Sequence, residues 1–294
     1  MAPDLFIGLV THPRSRFPDA VTDQGLLGSL ARELTSAGVS VATGISDQDE
    51  HRPELLTIDR AEVTASVDGE LASELRWRQY LSGRPADLRV RAFMTVRQIK
   101  RRMAYAPPWH RTLAGDDPGP RMVRRLVNIE LSHLRIIDDA VTSGASWALL
   151  IEDDAWSPDA TRLATELTAF LSAADDRGQP AMMNLSESFS PDELQIRHLL
   201  TPLVRAEGSS PWRVFSAQQP VTNTVCAVLY RRDLLVRLHD ALREIPLSPV
   251  LPIDFKINEA VMRIAGGMQP GDCWVASPAP IQQRSGVPAV SLRP

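Results

Sequence analysis

Cysteine is nearly absent from this sequence. Only Cys226 and Cys273 occur among 294 residues, both in apolar, strand-like surroundings where a buried thiol is expected rather than a disulfide or a metal ligand. Such thiols suit a reducing compartment. Long apolar runs are missing as well: no stretch approaches the roughly 20 residues that cross a bilayer. The opening "MAPDLFIGLVTHPRSRF" lacks the basic start and apolar core of a signal peptide, so a cytoplasmic location is expected. The motifs GxGxxG (after the first strand), GxxxxGKS/T, GxSxG and HExxH are all lacking, and the six histidines show no paired metal spacing. Dinucleotide oxidoreductase, P-loop NTPase, serine hydrolase and zinc-site readings therefore have no local support.

What is there is an ordinary globular composition, 44% apolar and 23% charged, in a chain long enough to bury roughly 75% of its unfolded surface. The net charge of −4 is unevenly spread. Between Arg76 and Arg135 stand fourteen Lys or Arg against Asp87, Asp116, Asp117 and Glu130, a net of +10, so the remainder carries −14. One region should attract anions. It could guide an anionic acceptor, touch a membrane surface, or present solvated helix faces. Trp77, Tyr80, Tyr105 and Trp109 are interspersed with it, and aromatics among cations can stack on nucleobases or sugar rings.

Periodicity indicates an α/β chain. "DLFIGLV" reads as a buried first strand; Leu27, Leu30, Leu34 and Ala37 mark a helix ended by Gly38; "VSVAT" supplies the next strand. Helices are expected around 69–82 and 86–104, then an exposed loop, "APPWHRTLAGDDPGP". A long helix follows from Pro120, with Val123, Val127, Leu131, Leu134, Ile137 and Val141 on one face and Gly144 at its end. "SWALLI" is a strand, and the next helix has Ser157 as expected cap and Pro158 in its first turn. "AMMNLSES", "NTVCAVLY" and "DCWVAS" read as strands, with helices at "RRDLLVRLHDAL" and "IDFKINEAVMRIAG".

The strand "SWALLI" runs directly into Glu152, Asp153 and Asp154. Adjacent carboxylates beside a core repel one another and lose solvation, unless a cation or hydrogen-bond donors compensate them. A strand, an acidic turn and a helix make up the edge of an α/β sheet where ligands bind. Mg²⁺ or Mn²⁺, held by one or two carboxylates with phosphates completing the shell, fits that chemistry. The alternative is a loop whose Asp154 or Ser157 caps the next helix.

The block "NIELSHLRIIDDAVTSGASWALLIEDDAW" resembles the central motif of glycosyltransferase family 25, the group of lipooligosaccharide and collagen galactosyltransferases. "LFIGLVTHPRSRF", "GVSVATGISD", "VCAVLYRRDLLVRL", "PIDFKINEAV" and "PAPIQQRS" are similar to further segments of that family, while residues 50–120 have no counterpart and "RLVNIE" departs from its lead-in. The resemblance implies a single GT-A-like α/β domain over residues 1–294. Its mixed, mostly parallel central sheet would be flanked by helices, with a largely helical basic insertion at about 50–120. It implies a hexosyltransferase moving a sugar from a nucleoside-diphosphate sugar, UDP before GDP, to an acceptor hydroxyl, with inversion. By the same resemblance Asp154, with Glu152, would hold Mn²⁺ or Mg²⁺, and Glu152 and Asp153 would lie near the ribose or donor sugar.

Thr11, Arg14 and Arg16 follow the first strand and would contact the nucleotide, or form a solvated loop. Asp47 falls where a base or ribose contact would lie, although a turn explains it equally. His133 would serve the donor site or pack structurally. Asp254 is the expected base that deprotonates the acceptor, its other reading being a helix cap; Glu259 and Glu187 stand in reserve. The acceptor would be a small molecule, a glycan or a phosphorylated group, with peripheral membrane contact possible and no nucleic acid expected. Other readings are a nucleic-acid-binding module carried by the +10 segment, a catalytically silent nucleotide-sugar binder, and a metal-dependent nucleotidyltransferase or phosphohydrolase. Against the first, the chain is acidic, with a sequence pI near 5.9, and shows no nucleic-acid-binding signature.

Overall fold

The computed structural model describes residues 4–12, 15–46, 118–174, 181–186, 197–202, 213–217, 225–245, 253–264 and 271–284, the side chains of 118–127 and a few others excepted, with isolated positions between 72 and 99. Strand β1, Leu5–Val10, is buried at all six positions. That is the pattern of a strand covered on both faces. Helix α1, Leu26–Ser36, follows and buries Leu26, Leu27, Leu30 and Leu34. Gly38, at φ 89°, turns the chain in the left-handed region that glycine favours, and β2, Val41–Ser46, returns parallel to β1.

Helix α2, Pro118–Ser143, delivers the chain to β3, Trp147–Glu152, which pairs parallel to the other side of β1. The short β4, Ala155–Trp156, leads into helix α3, Ala160–Ala174. Then come β5 (Met182–Asn184), β6 (Leu200–Pro202), β7 (Arg213–Ala217), β8 (Ala227–Arg231), helix α4 (Arg232–Arg243), helix α5 (Ile253–Ile264), β9 (Cys273–Ser277) and β10 (Gln282–Gln283). Eight strands form one sheet in the order β2-β1-β3-β8-β5-β9-β7-β6, and β10 pairs antiparallel with β4. In the main sheet only β8 and β7 run against β1; three ladders are parallel and four antiparallel. The chain is thus α/β with a mixed sheet in which most strands share one direction.

Helices cover both faces. Ile136, Leu238, Ile257 and Val261, from α2, α4 and α5, share one apolar cluster; Leu30 and Leu34 of α1 and Leu163 and Leu167 of α3 belong to the other. Gly8 and Gly44 are register partners, and they let α2 lie close. A Cβ on Gly8 would stand 2.6 Å from Ile136 Cγ1, and one on Gly44 2.6 Å from Phe6 Cζ. His133 is one helical turn before Ile136, so this close seating also fixes its height over the sheet edge.

The buried face of α2 differs from the apolar stripe that its sequence suggests. Ile136, Ile137 and Ala140 are buried, but so are Asn128, Glu130, Ser132 and His133, while Leu134 and Val141 are only partly covered. At the start of α3 the cap is Asp159, whose Oδ1 accepts the Arg162 N–H at 2.8 Å, and not Ser157. Strands β6, β7 and β10 have no clear sequence signal. Of the helices expected at 69–82 and 86–104, positions 72, 73, 75, 76 and 79, and 88, 91, 92, 95, 96 and 99, are helical. The rest of the proposed 50–120 insertion lies outside the described residues apart from the first residues of α2.

Candidate functional site

The in-register pairing of β2, β1 and β3 brings Ser46, Val10 and Glu152 side by side at the C-terminal edge of the sheet, facing α2. Glu152 meets His133, whose Nε2 lies 3.1 Å from Glu152 Oε1. The turn after β3 then divides the two aspartates. Asp153 accepts a hydrogen bond from Thr11 Oγ1 at 3.2 Å, which ties the β1 loop to the acidic turn. Asp154 turns the other way: Gln283 Nε2 donates to its Oδ2 at 2.8 Å, and the Cys226 thiol lies 3.8 Å from its Oδ1.

One ligand atom each from Glu152, Asp154 and Cys226 lie within 4.8 Å of one another. Burial, then the charge of Glu152, raises the Asp154 pKa to about 6, and Asp153 adds to this; Gln283 and Cys226 oppose it. Burial and the same carboxylates push the Cys226 thiol well above its ordinary range, so it is a neutral donor there. A cation would relieve this repulsion.

Asp254 enters from the first turn of α5 as its second residue, not as the cap before it. It keeps an exposed face. Even so, the protein packed round its carboxyl, followed by the charge of Glu152, raises its pKa to about 6, while His133 pulls the other way. It is thus in electrostatic reach of the acidic edge.

Behind the site lies a feature the sequence reading did not single out. Lys256 of α5 forms an ion pair with Glu130 of α2, each side chain 2% exposed. Burial moves Glu130 up to about 7 and Lys256 down, against their mutual attraction, and the charge of His133 also lowers Glu130. A signal existed: Lys256 is one of only two lysines in the chain, set in an apolar helical pattern. Gln283 was legible only as part of a tail motif. Cys226 was expected to be a buried thiol apart from any metal, but it adjoins Asp154.

The other expected residues divide. Thr11 is buried at the edge; Arg16 is exposed on the loop beyond it. Arg14, Asp47, Glu187, Trp77, Tyr80, Tyr105 and Trp109 lie outside the described residues. Glu259 is engaged by Arg76 in an ion pair. A surface depression between α3 and Pro278–Pro280 includes none of the carboxylates of the acidic turn. The Ser46 hydroxyl, 1% exposed, has no hydrogen-bond partner among the described residues. No helix among the described residues is long and apolar enough to cross a membrane. No protein-family model matches the chain, and no curated protein matches it either.

Proposed function

We propose that the protein is a metal-dependent glycosyltransferase of GT-A-like, single-domain architecture. It would transfer a sugar from a nucleoside-diphosphate sugar, UDP being the expected nucleotide, to an acceptor hydroxyl with inversion. One observation carries this reading: Glu152 and Asp154 converge where two parallel strands end, and Asp254 approaches their field from a separate helix.

The donor set fits the metal. Two carboxylates offer hard oxygens to Mn²⁺ or Mg²⁺ and leave positions for phosphate. When bound, the cation supplies charge neutralisation for a departing diphosphate. The protein's own groups supply the rest. His133 holds Glu152 by hydrogen bond, and Thr11 holds Asp153, which fixes the acidic turn against β1. The unpartnered Ser46 hydroxyl offers a donor on the same face. Asp254, when ionised, accepts the acceptor's hydroxyl proton on a carboxylate oxygen. The acceptor is proposed to be a glycan or a phosphorylated small molecule.

Replacing Asp154 with Ala is expected to weaken Mn²⁺-dependent UDP-sugar binding by about 100-fold or more, since even groups that only support a metal ligand are worth about 10–100-fold. Calorimetric titration of the variant, with circular dichroism to confirm its fold, is the test. Undiminished affinity for the UDP-sugar and Mn²⁺ would reject the assignment.

A further inference from the structure

Two residues 265 positions apart, Asp19 and Arg284, meet beside the acidic edge. Asp19 belongs to the loop that leaves β1, which runs through Phe17 into a single 3₁₀ turn, Pro18–Val21. Arg284 follows β10. Antiparallel pairing of Gln282 with Trp156 and of Gln283 with Ala155 lays this segment along β4, and the Arg284 backbone N–H donates to the Asp154 carbonyl at 2.6 Å. Its side chain goes elsewhere: Nη1 donates to Asp19 Oδ2 at 2.6 Å, and the guanidinium carbon stands 5.7 Å from the centre of the Phe17 ring. One residue thus holds the acidic turn by its backbone and the β1 loop by its side chain. The loop is gripped at two points, because Thr11 ties its root to Asp153 and Arg284 ties its far side to Asp154. Between those points stands Arg16, exposed and of a type suited to phosphate.

The Asp19 side chain is 49% exposed and that of Arg284 28%. An ion pair so open to water adds little to folding. Its effect is geometric: with both contacts of Arg284 made, the spacing between the loop and the acidic turn is fixed. On the proposed function, in which a cation at Glu152 and Asp154 takes the diphosphate, we infer that Arg284 is a positioning residue for the nucleotide. Acting through Asp19 and Phe17, it sets the β1 loop against the acidic turn so that both hold one nucleoside diphosphate. Loss of the Arg284 side chain leaves the metal-ligating carboxylates untouched, and the backbone bond to Asp154 does not depend on it.

Calorimetric titration of the full chain, first with Mn²⁺ alone and then with UDP in the presence of Mn²⁺, separates the two halves of the site. Arg284→Ala is expected to bind Mn²⁺ as the parent does and UDP about tenfold more weakly. Asp19→Ala, which keeps every Arg284 donor, should lose the same factor, and the double variant no more than either single one, since all three cut one link. Tm should match the parent throughout, because the pair is exposed. A merely structural role would lower both affinities and the Tm together. Undiminished UDP affinity in Arg284→Ala would overturn the inference. So would parental UDP affinity in Asp19→Ala, which would make Arg284 a direct phosphate contact, or losses that add in the double variant. A parent that binds Mn²⁺ but no UDP would instead reject the proposed function, and this role of Arg284 with it.

Discussion

Asp254 and Lys256 stand two positions apart on α5 and meet opposite surroundings, one with an exposed face and the other 2% exposed. At the residue scale this contrast separates a group that can exchange protons from one that holds structure. Asp254 acts as a base only when ionised, and its pKa is raised to about 6. Transfer activity, read as kcat/KM against pH, is therefore expected to fall as pH drops through about 6, with little change above. At saturating Mn²⁺, which keeps Asp154 ionised, Asp254→Asn should remove that limb and lower kcat by about 100-fold or more, within the usual range for loss of a general base. A profile that stays flat through this window in the parent would dismiss Asp254 from the role. The acidic triplet was legible because the carboxylates follow the apolar strand directly and a helical pattern resumes within one short turn. Its unequal division was not: Thr11 claims Asp153 while Gln283 claims Asp154, and both depend on contacts between residues more than a hundred positions apart.

Between elements, the Lys256–Glu130 pair joins α5 to α2 and so joins the helix bearing Asp254 to the helix bearing His133. Removing one member of a buried pair strands the other charge. Lys256→Ala is thus expected to destabilise the fold by about 3 to 5 kcal/mol, measured by urea denaturation. Adding Glu130→Leu to Lys256→Met should recover most of the loss, because the isolated charge is gone. A single Lys256→Ala variant of parental stability would show that the pair links nothing. Apolar periodicity located α1, α2, α3, α4 and α5 and strands β1, β2, β3, β5, β8 and β9. It erred on the inward face of α2, because a buried face built from Asn128, Glu130, Ser132 and His133 has no apolar signature. It passed over β6 and β7, which lie at the sheet's far edge, three and five residues long. Strands so short register only inside an apolar run, which marks the equally short β5, β8 and β9 and is missing around Leu200–Pro202 and Arg213–Ala217.

For the molecule as a whole, two carboxyls at the acidic edge and one behind it have raised pKa values: Asp154 and Asp254 to about 6 and Glu130 to about 7. A group whose folded pKa exceeds its unfolded value contributes stability that is fully present below the unfolded value and lost as pH rises through the folded one. The metal-free protein should accordingly show a falling Tm from about pH 5 to about pH 7.5; Asp19 and Asp233, which Arg284 and Arg231 shift down, are ionised in both states over this window and leave the slope unchanged. Mn²⁺ should raise the Tm more at the upper pH than at the lower, since the ion binds deprotonated ligands. Differential scanning calorimetry reads both effects, and equal stabilisation by Mn²⁺ at the two pH values would contradict the linkage. The donors that reach Asp154 have one more consequence, and it concerns synthesis. Cys226 follows Asp154 by 72 positions and Gln283 by 129. At the usual 5–20 residues per second, a ribosome that has just made Asp154 needs on the order of 10 s to deliver Gln283. For that interval the nascent chain carries an acidic turn without its escort, and the centre is completed only after nearly all of the sheet has been made.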